Sequence, residues 1–226
     1  MNSQDYIALD YQYGAHNYHP IPVVISKAKG CKVWDPEGRE YYDFLSAYSA
    51  VNQGHLHPHI VNAVKSQIEL VTLTSRAFHN DKMGPFLKKL CEYTGYEMAL
   101  PMNSGVEAVE TAIKAARRWG VEKRGIENGK QSIICANGNF HGRTLSAVSM
   151  SSDPDSYINY GPYVPGFIKI PFGDAKAVCD VIDENTVAVL VEPIQGEAGV
   201  VIPPDGYLLD LRRICTEAGI LFILDE

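Results

Sequence analysis

Three uninterrupted apolar runs of strand length constrain the fold of this chain more than any other feature. They are Ile133–Ala136, Val187–Val191 and Leu221–Leu224. A strand that is apolar at every position is buried on both faces, which is typical of parallel sheets covered by helices. Because predicted helices alternate with these runs, we expect an α/β fold, with an open, mostly parallel sheet and flanking helices.

The helices are predicted from apolar residues at helical spacing. One begins near Pro58, since proline suits the first turn of a helix. The others span Asp81–Tyr93, Val106–Trp119 and Tyr207–Ala218. The start of the chain, up to about Pro20, is predicted to be irregular. Short apolar runs punctuated by glycine and proline then predict a small antiparallel meander over residues 23–44.

Charge and cysteine usage exclude several classes of protein. The formal net charge is −7, whereas nucleic-acid binding draws on a basic surface. No apolar run approaches the ~20 residues of a membrane span, and the first residues do not resemble a signal or transit peptide. The five cysteines are scattered without CxxC spacing. We therefore expect reduced thiols and a cytoplasmic location.

The segment 101–107 combines helix-capping residues with a possible anion site. Ser104 and Glu107 have the spacing of a capping box, in which each side chain accepts a backbone N–H of the helix start. Gly105 lets a ligand approach the backbone closely. Free N–H groups and the helix dipole favour phosphate here. Plain capping without a ligand is the alternative.

Two further segments follow predicted buried strands, at the edge where open α/β sheets bind ligands. In the first, Phe140 could cover a planar ring and Arg143 could grip a carboxylate. A core phenylalanine and a surface arginine are the alternative. In the second, Glu192 and Glu197 lie in a glycine-rich loop and could form an acid/base or metal pair, or could be solvated.

The acid Asp225 ends the last apolar run. An acid in this place also fits the Walker B element of a nucleotide hydrolase. That hypothesis needs a Walker A loop, and the nearest candidate, Gly125–Gln131, has the wrong spacing and no Ser or Thr for Mg²⁺. The histidines of Gly54–His59 alternate, but without a neighbouring ligand cluster they favour a polar turn over a metal site.

In this order, the four segments resemble the class III aminotransferases, a group of pyridoxal-phosphate (PLP) enzymes of fold type I. The resemblance extends over essentially the whole chain. Three stretches look like the ornithine aminotransferases of that family in particular: Tyr13–Pro20, Phe44–His55 and Leu73–Phe78. The resemblance implies that residues 1–57 contribute to a smaller α+β domain and that residues 58–226 form the large PLP-binding domain.

The resemblance also implies roles for named residues. Ser104, Gly105 and Val106 would bind the cofactor phosphate, and Phe140 would stack on its ring. Asp225 would pair with the protonated ring nitrogen, an attraction of about 4 kcal/mol at ~4 Å and an effective dielectric of ~20. Glu192 would have a supporting place near the cofactor.

For substrates, the resemblance implies ornithine and 2-oxoglutarate, converted to glutamate 5-semialdehyde and glutamate. Arg143 would bind a carboxylate of 2-oxoglutarate. Tyr18 and Tyr48 would recognise the α-amino-acid end of ornithine. Glu197 would form a switchable salt bridge with an arginine farther along. Acetylornithine and 4-aminobutyrate aminotransferases remain alternatives within the family, and a homodimer is expected by resemblance.

The end of the chain sets a limit on these expectations. Leu221–Asp225 has the pattern of a core strand, so we expect the sequence to be a fragment. The Schiff-base lysine of the family follows the strand-end acid, and no upstream lysine, such as Lys114 or Lys130, has a matching context. We expect the intact protein to be the enzyme and this piece alone to be inactive. A short, non-catalytic binding module is the alternative from another class.

Overall fold

The computed structural model describes residues 1–226. Their contacts form two compact units, Met1–Gly95 and Tyr96–Glu226. The boundary that the sequence predicts, between residues 57 and 58, falls within the first unit. As an assignment of residues to a small and a large domain, it stays a prediction.

The first unit contains three helices and a three-stranded sheet. Its elements are α1 (Ser3–Tyr13), β1 (Lys27–Lys29), β2 (Lys32–Trp34), β3 (Glu40–Tyr42), α2 (Pro58–Ile68) and α3 (Met83–Thr94). The strands pair antiparallel in the order β1-β2-β3. Val33 is buried and lies opposite Ala28 on one side and Tyr41 on the other. The predicted meander and the helix that begins at Pro58 are confirmed.

The prediction of an irregular start was wrong, because α1 is helical from Ser3. The side chain of Asn2 accepts the Asp5 N–H at 3.0 Å, and Asp5 accepts the Asn2 N–H at 2.8 Å. This reciprocal cap stabilises the helix start. Apolar spacing could not reveal the helix, since none of its residues is buried; the Asn2–Asp5 spacing was the signal.

The second unit is an α/β sheet. Its elements are α4 (Gly105–Arg124), β4 (Ser132–Ala136), α5 (Leu145–Met150), α6 (Pro154–Tyr157), β5 (Phe167–Ile170), α7 (Lys176–Val181), β6 (Thr186–Val191), α8 (Tyr207–Ala218) and β7 (Leu221–Leu224). The four strands pair parallel in the order β5-β4-β6-β7. The parallel sheet is confirmed; β5 and the short helices α5 to α7 were missed.

Helices cover both faces of this sheet. Alternate residues of a strand point to opposite faces. Ile134 and Val189 accordingly belong to the cluster that contains Leu211 of α8. Ile133 belongs to the opposite cluster, with Ile113 of α4. Because the central strands β4 and β6 are buried on both faces, their ligand-accessible groups lie at the strand ends.

Candidate active site

The carboxyl ends of β4, β6 and β7 lie along one edge of the parallel sheet. The loop 137–144 follows β4, the loop 192–200 follows β6, and Asp225 follows β7. The Asp225 N–H donates to the Val191 carbonyl at 3.0 Å, which continues the pairing of β6 and β7 by one residue. The three segments are therefore neighbours.

His141 contacts Asp225 at this edge. The ring nitrogen Nδ1 lies 2.8 Å from Asp225 Oδ2. A carboxylate only accepts hydrogen bonds, so Nδ1 carries the hydrogen that joins them. The His141 side chain is fully buried, while that of Asp225 is 26% exposed. Nε2 of His141 is buried without a partner. His141 thus fixes the orientation of the Asp225 carboxylate, which remains partly accessible to a ligand.

The carboxyl group of Glu192 holds the backbone of the β4 loop. Its Oε2 accepts the Phe140 N–H at 3.2 Å, and the residue is buried. Burial raises the pKa of this carboxyl, and the charge of Asp225 adds to the rise. The Phe140 N–H and His141 act in the opposite direction. Glu192 therefore fixes the residue that carries the aromatic ring.

Phe140 and Arg143 project from the same loop. The Phe140 side chain is 38% exposed, so its ring is accessible. The guanidinium carbon of Arg143 lies 5.9 Å from the centroid of that ring, within range of a cation–π contact. Arg143 is exposed and makes no salt bridge with an acidic residue of this chain. Its guanidinium is available to a carboxylate ligand.

The β4 loop packs on the start of α4. Gly142 has φ +118°, and a Cβ at this position would lie 2.4 Å from Cγ2 of Val106. Two residues on, the Thr144 hydroxyl donates to Glu110 of α4 at 2.6 Å. Only glycine permits this close approach. The loop with Phe140 and the first turn of α4 are consequently held together.

The first turn of α4 has free N–H groups. Ser104 Oγ accepts the Glu107 N–H at 3.3 Å, and the Ser104 carbonyl accepts the Ala108 N–H. The Gly105 and Val106 N–H groups precede any intrahelical acceptor. The predicted capping box was half wrong: Glu107 accepts the Asn103 N–H at 2.7 Å, one residue before the cap. Ser104 remains the helix cap.

The two tyrosines predicted to bind substrate lie together in the first unit. The hydroxyl groups of Tyr18 and Tyr48 are 2.6 Å apart. Both side chains are largely exposed. A pair of phenolic hydroxyls that share a hydrogen bond can still present a donor and an acceptor to a ligand.

Comparison with known proteins decides the family. The profile described as aminotransferase class-III matches residues 13–226. The chain belongs to the class III aminotransferases. It is 59% identical over 214 residues to an ornithine aminotransferase of Oceanobacillus iheyensis, covering 95% of this chain and 54% of that protein. It is 58% identical to ornithine aminotransferase 2 of Staphylococcus aureus, covering 99% and 57%.

Solved structures of class III aminotransferases share the fold. The ornithine aminotransferase of Toxoplasma gondii superposes with a TM-score of 0.96 at 44% identity, covering 99% of this chain and 53% of that one. The acetylornithine aminotransferase of Elizabethkingia anophelis gives 0.86 at 45%, covering 100% and 53%. The chain thus spans about half the length of the proteins it matches. The predicted fold type I architecture is confirmed.

The second unit fits the PLP that this family uses. PLP has a phosphate, a flat ring and a basic ring nitrogen, and a second Toxoplasma gondii structure has it at partial occupancy in the active site. Free N–H groups at Gly105 and Val106 suit the phosphate, the exposed Phe140 suits the ring, and Asp225 suits the nitrogen. A Cβ added at Gly105 would meet no atom within 4 Å, so the space beside the first turn of α4 is open.

One residue of this site was not predicted from the sequence, and one predicted residue has no ion-pair partner in the structure. His141 lies between Phe140 and Arg143 in the sequence, and its contact with Asp225 was not predicted; a histidine five residues after the end of a buried strand was the signal. Glu197 is exposed and forms no ion pair here. It stays a prediction.

The structure also bears on membrane spans and metal sites. None of the eight helices combines the length and apolar character needed to cross a bilayer. No group of three histidine, cysteine or acidic side chains is arranged to hold a metal ion. His55, from the alternating histidines, instead contacts Asp43.

Proposed function

We propose that this chain supplies cofactor and substrate residues of an ornithine δ-aminotransferase. The reaction transfers the δ-amino group of ornithine to 2-oxoglutarate, giving glutamate 5-semialdehyde and glutamate. The observation that carries the proposal is the contact of Asp225 with His141 at the carboxyl edge of the sheet, where Phe140, the chain neighbour of His141, has an accessible ring. The names of the relatives at 57–59% identity support the choice of ornithine.

The cofactor residues would work through charge and position. Asp225 would keep the ring nitrogen of PLP protonated, because an opposite charge favours the charged form. When bound, PLP supplies an electron sink for negative charge at the substrate carbon. The first turn of α4 would bind the phosphate through Ser104, Gly105 and Val106. Glu192 would hold the Phe140 backbone, and the Phe140 ring would cover the pyridine.

The substrate residues would divide between the two half-reactions. The hydroxyls of Tyr18 and Tyr48 would bind the α-amino-acid end of ornithine, leaving the δ-amine to react. Arg143 would bind a carboxylate of 2-oxoglutarate through paired hydrogen bonds. Glu197 would neutralise an arginine elsewhere in the full-length protein while ornithine is bound.

Isotope labelling tests the reaction. The full-length protein is supplied with PLP, 2-oxoglutarate and ornithine labelled with ¹⁵N at either the δ- or the α-position. We expect label in glutamate from δ-labelled ornithine only. Label from the α-position, or a higher kcat/KM with N-acetylornithine or 4-aminobutyrate than with ornithine, would contradict the proposal.

The substitution Tyr18→Phe tests the substrate assignment. Loss of one neutral hydrogen bond of about 1 kcal/mol should raise the KM for ornithine roughly fivefold while sparing 2-oxoglutarate. Steady-state kinetics with each substrate varied in turn measures this difference. Equal losses for both substrates would remove Tyr18 from the ornithine site.

Acetylornithine aminotransferase is the second candidate, since a structure with that activity matches the whole chain at 45% identity. The same kinetics with N-acetylornithine separates it from the first. The alternative of a non-catalytic binding module predicts no visible absorbance change when the full-length protein is mixed with PLP. An absorbance band that Asp225→Ala weakens or shifts would exclude that alternative.

We further propose a cytoplasmic homodimer. All five cysteines are unpaired, as is usual in a reducing compartment. The α2 helix exposes Ile60, Val64 and Ile68 on the surface of the chain, and a row of apolar side chains is typical of a surface buried by association. Sedimentation of the full-length protein measures the assembly state; a monomer at micromolar concentration would contradict it.

A further inference from the structure

The segment between β3 and α2 contains a run of unusual backbone. Ser46, Ala47, Tyr48 and Ser49 have φ values of 50°, 49°, 54° and 70°. These angles lie in the left-handed region, which is unfavourable for residues with a Cβ and is normally visited by single residues. Such a run persists only where the surroundings hold it in place.

The Asp43 side chain holds the start of this run. Its Oδ1 accepts the N–H groups of Leu45 at 3.0 Å and Ser46 at 2.9 Å. Its Oδ2 lies 2.8 Å from Nε2 of His55. Hydrogen bonds from His55, Ser46 and Leu45 lower the pKa of the Asp43 carboxyl. The charged carboxylate is therefore the form that binds all three donors.

The Asp43–His55 pair closes the segment against a fixed support. The Asp43 N–H donates to the Cys31 carbonyl at 2.9 Å. His55 and Gly30 exchange two backbone hydrogen bonds, of 2.8 and 2.9 Å. Gly54, at φ +84°, approaches Gly30 so closely that a Cβ would lie 3.2 Å from its Cα. Both ends of the left-handed run are thus attached to the turn between β1 and β2.

The Tyr48 side chain projects from this left-handed run. Tyr48 is 64% exposed and Tyr18 is 53% exposed. Their hydroxyls meet at 2.6 Å. A shift of the left-handed run would separate the two hydroxyls.

We propose that Asp43 and His55 are positioning residues that place the Tyr48 hydroxyl against Tyr18 for recognition of the α-amino-acid end of the substrate. The inference rests on the proposed function, which assigns the two tyrosines to ornithine. Neither Asp43 nor His55 touches the substrate in this scheme. Their effect passes through the backbone of residues 45–49.

A purely structural pair would behave differently from a positioning pair. Loosening of the whole unit would lower stability and weaken both substrates together. Loss of position at Tyr48 would instead raise the KM for ornithine and spare the 2-oxoglutarate half-reaction. It would also have no further effect once the Tyr48 hydroxyl is absent.

Matched substitutions of His55 in the full-length enzyme provide the test. His55→Gln keeps a nitrogen donor near the place of Nε2, whereas His55→Leu keeps the bulk without a donor. We expect His55→Leu to raise the KM for ornithine about tenfold, the loss expected for one charged hydrogen bond. We expect His55→Gln to recover most of that loss, with kcat and the KM for 2-oxoglutarate little changed in both variants.

A double-mutant cycle with Tyr48→Phe decides how the effect is transmitted. In the Tyr48→Phe background, His55→Leu should add little to the KM for ornithine. Independent, multiplying effects of the two substitutions, or equal losses for both substrates, would overturn the positioning role. If His55→Leu does not fold, the same cycle is measured with Asp43→Asn, which removes the charge that binds His55.

The controls separate this inference from the proposed function. If Tyr48→Phe leaves the KM for ornithine unchanged, the substrate assignment fails and the positioning role fails with it. If Tyr48→Phe weakens ornithine but His55→Leu does not, the substrate assignment stands and only the positioning role is overturned.

Discussion

Nδ1 of His141 and Oδ2 of Asp225 meet at 2.8 Å across the ends of two strands, although the residues are 84 positions apart in the sequence. The pair joins a fully buried ring to a partly exposed carboxylate. Because Nδ1 of His141 holds one oxygen of the Asp225 carboxylate, the remaining lone pairs of the carboxylate keep a constant direction. If Asp225 binds the ring nitrogen of PLP as proposed, His141 would act on the cofactor through Asp225 without touching it.

Substitutions of His141 should change cofactor binding through the orientation of Asp225. His141→Asn can keep a donor near the place of Nδ1, whereas His141→Leu leaves the Asp225 carboxylate without one. We expect His141→Leu to weaken PLP binding about tenfold, in line with the loss of one charged hydrogen bond. Absorbance titration of the full-length apoenzyme with PLP measures this. Equal affinities for the two variants would show that the contact has no part in binding.

The contact between Gly142 and Val106 gives a second prediction. In Gly142→Ala, the added methyl would overlap the Val106 side chain, at 2.4 Å from Cγ2, and would require an unfavourable φ of +118°. We expect the β4 loop to move away from α4, with weaker PLP binding. Adding Val106→Ala removes the overlap but leaves the backbone strain, so it should restore binding only in part. The same absorbance titration compares the three variants.

The sheet was predictable from sequence because its central strands are apolar at every position after the first, which is Ser132 in β4 and Thr186 in β6. Burial on both faces leaves such a continuous apolar run, as Val187 to Val191 illustrate. The same pattern at Leu221 to Leu224 overstated burial, because β7 is an edge strand whose residues are only partly buried. The edge strand β5 is different: Lys169 is exposed, and the run Phe167–Ile170 is short. Burial on one face gave too weak a signal to separate it from a loop.

The site was predictable only in part. The residues of a motif are close in sequence, whereas the residues that contact one another in the fold are often far apart in sequence. Phe140 and Arg143 follow a strand end and were predicted as site residues from their chemistry, and their roles stay predictions. The Glu192–Phe140 and Asp43–His55 contacts depend on how distant segments pack. No local pattern at Asp43 or His55 specifies that their side chains meet.

Buried thiols should resist alkylation. Burial raises the pKa of Cys135 to about 12 and that of Cys215 to about 11, and the thiolate is the reactive form. Cys31 and Cys179 are exposed. With iodoacetamide at pH 8, peptide mass spectrometry should find Cys31 and Cys179 modified first. Cys135 and Cys215 should react only after unfolding in urea, and early modification of either would contradict their burial.

Glu192 should make the folded protein less stable as pH rises. Its pKa is raised above the ordinary value of 4.5, mainly by burial. At a pH below the ordinary value the carboxyl is neutral in both the folded and unfolded states. As pH rises through the interval between the unfolded and folded pKa values, the unfolded state loses its proton first, and the free energy of unfolding falls. Above the folded pKa this contribution is constant.

The substitution Glu192→Gln removes this titration and keeps an oxygen that can accept the Phe140 N–H. We expect the variant to lose less stability than the wild type as pH rises from 4 to 7. Urea unfolding of both proteins across this range gives the two pH profiles, and their difference isolates residue 192 from the other carboxyl groups. Parallel profiles would mean that Glu192 has the same pKa in both states. A steeper fall in the variant would reverse the sign of the shift and remove burial as its cause.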